Sequence, residues 1–186
     1  MKGLSLSTPM VIAWNEGRKD VTRRLMNPQP AEGAYFHHDE DGGFAFAGTA
    51  CSFHKPRYLP GETVYIKETW AFGCYELSGK KPIRYKADGT RNDVLQWKSP
   101  RFMPEWASRS HTRIVSVRPE RIQEITEEEA KREGFAVSYE EVVVEYDQIR
   151  QEPIFARENF QTLWETLHPG SWEKNEFVFR YALEKI

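Results

Sequence analysis

Gly17-Arg18-Lys19-Asp20-Val21-Thr22-Arg23-Arg24 is the stretch on which the reading of this chain turns. Five of its eight residues are charged, and Thr22 adds a hydroxyl. It follows a helix signal over residues 8–17. Thr8 is suited to cap that helix, Pro9 to its first turn, and Gly17 to the position past its end, where positive φ is common. Met10, Val11 and Trp14 give the helix its apolar face. Lys19 and Thr22 stand three residues apart, so in an ideal strand they point to opposite faces. For both to face one pocket, the segment has to turn or bulge. Taken alone, the stretch reads as a solvated basic turn.

Outward from there, Asn27-Pro28-Gln29-Pro30 breaks any regular element. His37-His38-Asp39-Glu40-Asp41-Gly42-Gly43 has metal-ligating residue types, but adjacent ligands in a glycine-flanked run rarely converge on one ion, so a hairpin turn is expected and no metal. Phe44 and Phe46 alternate with alanines as a strand would. After the turn Tyr58-Leu59-Pro60-Gly61-Glu62, residues 63–72 read as one strand with Val64, Ile66, Glu68, Trp70 and Phe72 on one face. Glu68, in line with apolar residues, must be paired with a nearby Arg or lie at a pocket rim.

Ile83 to Ala87 is strand-like. Around Met103-Pro104-Glu105-Trp106-Ala107-Ser108-Arg109, aromatic and cationic side chains either stack a base and hold its phosphate or pack as a loop. Residues 110–118 form the clearest second strand. Thr126 opens a helix as its cap, with Glu129 reaching back and Ile125 stapling to Ala130. Glu127, Glu128 and Glu129 suit the positive end of that helix. Glu133 sits at the other end before Gly134, where the dipole disfavours an anion by about 0.3–1 kcal/mol. Residues 135–152 are ambiguous. Pro153 is expected to start a helix over residues 154–167 with Phe160, Leu163, Trp164 and Leu167 as its buried stripe, and residues 176–184 read as a final strand.

The chain has 186 residues, which suits one domain, and it is rich in aromatics, with six Trp, eight Tyr and eleven Phe. A net charge of −2 argues against broad, charge-driven nucleic-acid binding while leaving room for a local basic patch. No apolar run is long enough to cross a bilayer, and Thr8-Pro9 interrupts any secretory segment. Cys51 and Cys74 lack zinc-site spacing. A soluble protein of a reducing, cytoplasmic compartment is expected, without a membrane partner or cofactor.

Four features stand in a recognisable order: Gly17-Arg18-Lys19-x-x-Thr22-x-Arg24 after a helix; Pro60-Gly61-Glu62-Thr63-Val64-Tyr65-Ile66; Ile125-Thr126-x-x-x-Ala130-x-x-Glu133-Gly134; and Phe177-Val178-Phe179-Arg180-Tyr181. This set resembles the ASCH superfamily. The segments Tyr85-Lys86-Ala87-Asp88-Gly89 and Met103 to Arg109 look like its phage and prophage branch. The resemblance implies an α+β fold, a PUA-like β-barrel with flanking helices, as a single domain over 1–186 with insertions near 28–57 and 136–158. It also implies a pocket for RNA or a modified nucleoside.

Small bacterial members are amidohydrolases that deacetylate N-acetylated cytidine with Lys, Thr and Glu. By motif position these are Lys19, Thr22 and Glu133 here. Arg23, Arg24, Glu68, Trp70, Trp106, Ser108 and Arg109 are the accompanying substrate-binding candidates. Asp20 departs from the usual Thr after the Lys, and the chain is longer than that group. Thr22 then attacks the acyl carbon or positions a water, and Lys19 acts either as base or as oxyanion-stabilising cation. The alternative is a non-catalytic RNA- or nucleic-acid-binding module of phage or prophage origin, in which Lys19, Arg23, Arg24 and Arg109 hold phosphates. A phage assembly role has no direct support in the residues.

Overall fold

The computed structural model describes residues 1–31, 35–38, 44–47, 52–74, 82–89, 92–144 and 148–186. In chain order the elements are β1 (Gly3–Ser5), α1 (Thr8–Asn15), β2 (Val21–Leu25), β3 (Tyr35–His38), β4 (Phe44–Ala47), β5 (Ser52–His54), β6 (Thr63–Lys67), β7 (Trp70–Phe72), β8 (Ile83–Tyr85), β9 (His111–Arg121), α2 (Glu127–Arg132), β10 (Ser138–Val144), β11 (Gln148–Ile154), α3 (Ala156–Leu167) and β12 (Phe177–Lys185). The fold is α+β. A five-stranded sheet has the order β1-β6-β9-β12-β2, parallel only between β1 and β6. Three small sheets, β3-β4-β5, β7-β8 and β10-β11, accompany it.

Strand β12 organises the molecule. Its alternation puts Phe177, Phe179, Tyr181 and Leu183 into a core shared with Leu4, Val11, Trp14 and Ile66. Its opposite face sends Val178 into a second core with Ile122, Ile125, Phe160 and Trp164. A strand buried on both faces belongs in the middle of a layered fold, and β12 lies between β9 and β2.

Among the described residues the sheet is open, without a closed barrel. Its edges are β1 and β2, and no backbone ladder joins them. The Arg24 guanidinium on β2 instead donates to the Ser5 carbonyl on β1 at 2.7 Å. A side chain thus spans the seam that a barrel would close with main-chain bonds.

Three expected elements differ in extent. Helix α1 begins at Thr8 itself; Ser7 precedes it and makes no side-chain cap. The single strand expected over 63–72 is two strands, because after Lys67 the backbone leaves β9: Glu68 N–H turns to the Met103 sulfur, and Trp70 exchanges hydrogen bonds with Lys98. Pro153 lies in β11 opposite Tyr139, and α3 starts only at Ala156. There the Ala156 and Arg157 N–H groups find the Glu127 carboxylate, both at 3.0 Å. At α2, Thr126 caps Glu129 N–H as expected, but the Glu129 side chain turns away from the cap toward Arg23 and Arg180. The ambiguous stretch after residue 135 contains the β10-β11 hairpin. Strands β3 and β4 pair antiparallel as a hairpin, while residues 39–43 lie outside the described residues. Among the described residues no helix is long and apolar enough to cross a membrane.

Candidate functional site

The charged stretch is not a wholly solvated turn: Gly17 and Arg18 are exposed, whereas Lys19, Val21, Thr22 and Arg23 are buried. Gly17 takes φ +75°, and Arg18 and Lys19 N–H groups both turn back to the Ala13 carbonyl. Lys19 then bridges Glu133 through the backbone, and Asp20 N–H bonds the Arg132 carbonyl. The loop is thereby fastened to the C-terminal end of α2 before β2 begins. Asp20 adds a fork with Arg132, at 2.9 Å to each carboxylate oxygen.

Gly134 makes that docking possible. It has φ +100°, and a Cβ there would come within 2.7 Å of the Ala13 side chain. Both facts call for glycine. Helix α2 can therefore end against α1, with Glu133 beside Lys19.

Lys19 is 3% exposed and Glu133 4%. The Lys19 Nζ donates to Glu133 Oε2 at 2.8 Å, to the Glu133 carbonyl at 2.8 Å and to the Val21 carbonyl at 2.6 Å. All three partners are acceptors, so each takes one proton of an ammonium group. Burial pushes the Lys19 pKa below its usual value. Glu133 opposes this, and the neighbouring Arg24 and Arg23 charges add to the fall.

Arg23, buried beneath the site, meets three carboxylates: Glu120 at 2.6 Å, Glu129 at 2.7 Å and Glu133 at 3.1 Å. Arg180 forks onto Glu129 at 2.8 and 2.9 Å. Burial alone would raise Glu129, but its bonds to Arg180 and Arg23 hold it at about 2. This cluster keeps the Glu133 carboxylate aimed at Lys19 from the other side.

Lys19, Thr22, Arg23, Arg24 and Glu133 all line one cavity of about 740 Å³. Because β2 is an edge strand, side chains from both of its faces reach the open seam. Lys19 itself lies in the turn before β2, so it and Thr22 share the cavity without the opposite-face spacing of an ideal strand. Thr22 is 2% exposed, and its hydroxyl makes no hydrogen bond among the described residues. The far wall is apolar and includes Met10, Phe135, Phe160 and Leu163. The stripe on α3 is therefore divided: Phe160 and Trp164 are buried, whereas Leu163 is half-buried and Leu167 exposed at the cavity. Patterning alone reads all four as core.

Five of the expected substrate contacts lie elsewhere. Glu68, Trp70, Trp106, Ser108 and Arg109 do not line this cavity. Arg109 forks onto Glu68, both bonds 2.9 Å, reaches Asp88 at 2.7 Å and lies over the Tyr85 ring at 4.1 Å. This is the paired-carboxylate reading of Glu68. Ser108 Oγ sits 2.8 Å from the Ile66 carbonyl and 3.0 Å from that of Ser110, holding the approach to β9. Trp70 is buried with Met103 and Ala107, and Trp106, 66% exposed, stacks on Phe72. These side chains fasten the β7-β8 ribbon to the sheet.

Sequence reasoning passed over Arg101 and His168, which line the cavity. His168 carried only a helix-stop signal. Burial lowers its pKa and Arg24 lowers it further, with Glu176 opposing. Among the described residues no group of three or more His, Cys, Asp or Glu is placed to hold a metal ion. In comparisons with protein-family models, curated proteins and solved structures, the chain matches none.

Proposed function

We propose that the chain is a cytoplasmic amide hydrolase that removes the acyl group from an N-acylated, cytidine-type nucleoside, on a sheet of the PUA-like kind. One observation carries the reading. The buried Lys19–Glu133 contact, 2.8 Å long, lies in the cavity that the Thr22 side chain also lines.

Thr22 Oγ1 attacks the acyl carbon, and the carbonyl oxygen takes up the negative charge. A free hydroxyl is a weak nucleophile and needs a base. Resting Lys19 is an ammonium and cannot serve until it passes one proton to Glu133. Its desolvated position and the nearby arginines favour that loss. Neutral Lys19 then accepts the Thr22 proton and returns one to the departing amine as the C–N bond breaks. Water attacks the acyl-threonine ester by the same route in reverse, giving the free acid and regenerating the hydroxyl. Arg24 at the cavity wall favours the anionic intermediate. The Met10, Phe135 and Leu163 wall takes the flat base, a role the displaced Trp70 and Trp106 do not fill.

A second reading, a nucleic-acid-binding module without turnover, draws on the full engagement of Lys19. With all three donors occupied, the same contact serves as a staple between β2 and α2. A mass-spectrometric screen of acylated and otherwise modified nucleosides separates the two. The hydrolase reading expects N-acylated cytidines to lose their acyl group, and binding without loss of any acyl group supports the module.

A further inference from the structure

A second cavity, of about 820 Å³, opens on the other side of Arg24. Its charged lining is Arg24, Lys55, Arg57, Lys67 and Arg101, with no Asp or Glu among the lining residues. It shares Ser5, Arg24, Arg101 and His168 with the Lys19 cavity, so the two adjoin along the seam between β1 and β2.

None of these five cations forms an ion pair among the described residues. Among the described residues Arg24 donates to the Arg23 and Ser5 carbonyls, at 3.1 and 2.7 Å. Lys67 donates to the Arg101 carbonyl at 2.6 Å. The Arg57 guanidinium lies 5.6 Å from the Tyr58 ring centre. The chain has 28 acidic residues against 26 basic ones, so carboxylates are not scarce. Arg23 alone engages three of them. Burial presses the Arg24 pKa down, Glu133 opposes it, and Arg57 adds to the fall. Five cations line one cavity, none of them in an ion pair among the described residues; that lining suits an external anion, and arginine forks match phosphate oxygens well.

We propose that this cavity is a phosphate subsite, and that the ligand of the Lys19 cavity is a nucleotide, its phosphate held by Arg24, Lys55, Arg57, Lys67 and Arg101. The identity of the base rests on the hydrolase reading above; the phosphate does not. Arg24 and His168 stand at the junction, where a ligand spanning both cavities must pass. The shared chemistry is a phosphate oxygen, from either a monophosphate or a diester within an oligonucleotide.

Calorimetric titration of the full chain with cytidine, cytidine monophosphate and a short cytidine oligonucleotide tests this, at low and high ionic strength. The monophosphate should bind about tenfold or more tightly than cytidine, as expected for charge-assisted hydrogen bonds to a partly desolvated anion. The advantage should shrink with salt. The variant Arg57→Gln/Arg101→Gln changes two exposed side chains and should melt like the parent while losing most of that advantage. If the oligonucleotide binds tighter than the monophosphate and loses affinity in the same variant, the phosphate is an internal diester. Equal binding of cytidine and its monophosphate, an advantage that survives the double substitution, or no binding of either phosphate ligand overturns the subsite. Phosphate preference without acyl hydrolysis removes the hydrolase reading and leaves the subsite standing. Hydrolysis without phosphate preference does the reverse.

Discussion

Two neighbouring groups of cations are built on opposite terms. Beneath β2, Lys19, Arg23 and Arg180 are buried, and each meets a carboxylate within 3.1 Å. Across the seam, Arg24, Lys55, Arg57, Lys67 and Arg101 line a cavity, and none forms an ion pair among the described residues. Arg23 and Arg24 are adjacent in sequence but belong to different groups, because alternate strand residues face opposite sides. The lesson is that charge in this chain is divided by work. The paired group fixes geometry, and the group without ion pairs among the described residues is the one proposed above to meet an external phosphate.

The comparison breaks most visibly at Arg23. Arg23→Gln leaves three carboxylates short of their shared cation and should destabilise the chain by about 3–5 kcal/mol in denaturant unfolding. A cost similar to that of a surface change would mean that the network is ornamental. Lys19 and Glu133 are buried as well, so changes there should lower stability along with turnover.

Next comes Gly134. Gly134→Ala has to adopt positive φ and push against Ala13, at a cost of about 1–3 kcal/mol. It should also reduce turnover, since it moves Glu133 from Lys19. Unfolding and kinetics on the same preparation check both effects.

A smaller effect concerns acid. Glu129 is held at about 2 in the fold against 4.5 as a free side chain. A lowered carboxylate pKa stabilises above the unfolded value and is lost as pH falls through the folded one. Its contribution should therefore fade between about 4.5 and about 2. Allowing for its partial exposure, this amounts to something on the order of 1 kcal/mol. Glu129→Gln should flatten the melting temperature over that interval. An unchanged slope would contradict the pairing with Arg23 and Arg180.

Smallest is the exposed, unpaired group. Arg57→Gln should leave stability within about 0.5 kcal/mol of the parent, because an exposed cation without an ion pair among the described residues has little to lose. A large loss would show that Arg57 has an internal role after all.

Much of the paired group was legible in local sequence. Gly17 marked the turn, Thr126 the start of α2, and Glu133 stood out as an anion at the wrong helix end. The strand patterns at 63–72, 110–118 and 176–184 carried β6, β9 and β12, the middle strands of the main sheet. What local pattern could not carry was contact between distant segments. The break after Lys67 depends on the Met103 sulfur and Lys98, more than thirty residues downstream in sequence, in addition to the Arg109 fork on Glu68. The split role of the α3 stripe depends on where the seam opens. Lys55 and Arg57 sit in a stretch set apart as an insertion, with no periodicity to connect them to Arg24. Where a barrel was expected, the described residues form an open sheet whose edge strands β1 and β2 share the Arg24–Ser5 side-chain bond and no backbone ladder.

The central claim is that Lys19, Thr22 and Glu133 form one hydrolytic unit, and Thr22 tests it with the least disturbance to the fold. Thr22 is the member whose hydroxyl is free of hydrogen bonds among the described residues. Release of cytidine from N-acetylcytidine should be followed for the parent and Thr22→Ala, with melting temperatures measured alongside. The account predicts release by the parent and a loss of at least about a hundredfold in the variant, at nearly equal melting temperature. Equal release by Thr22→Ala, or none by the parent, would contradict it.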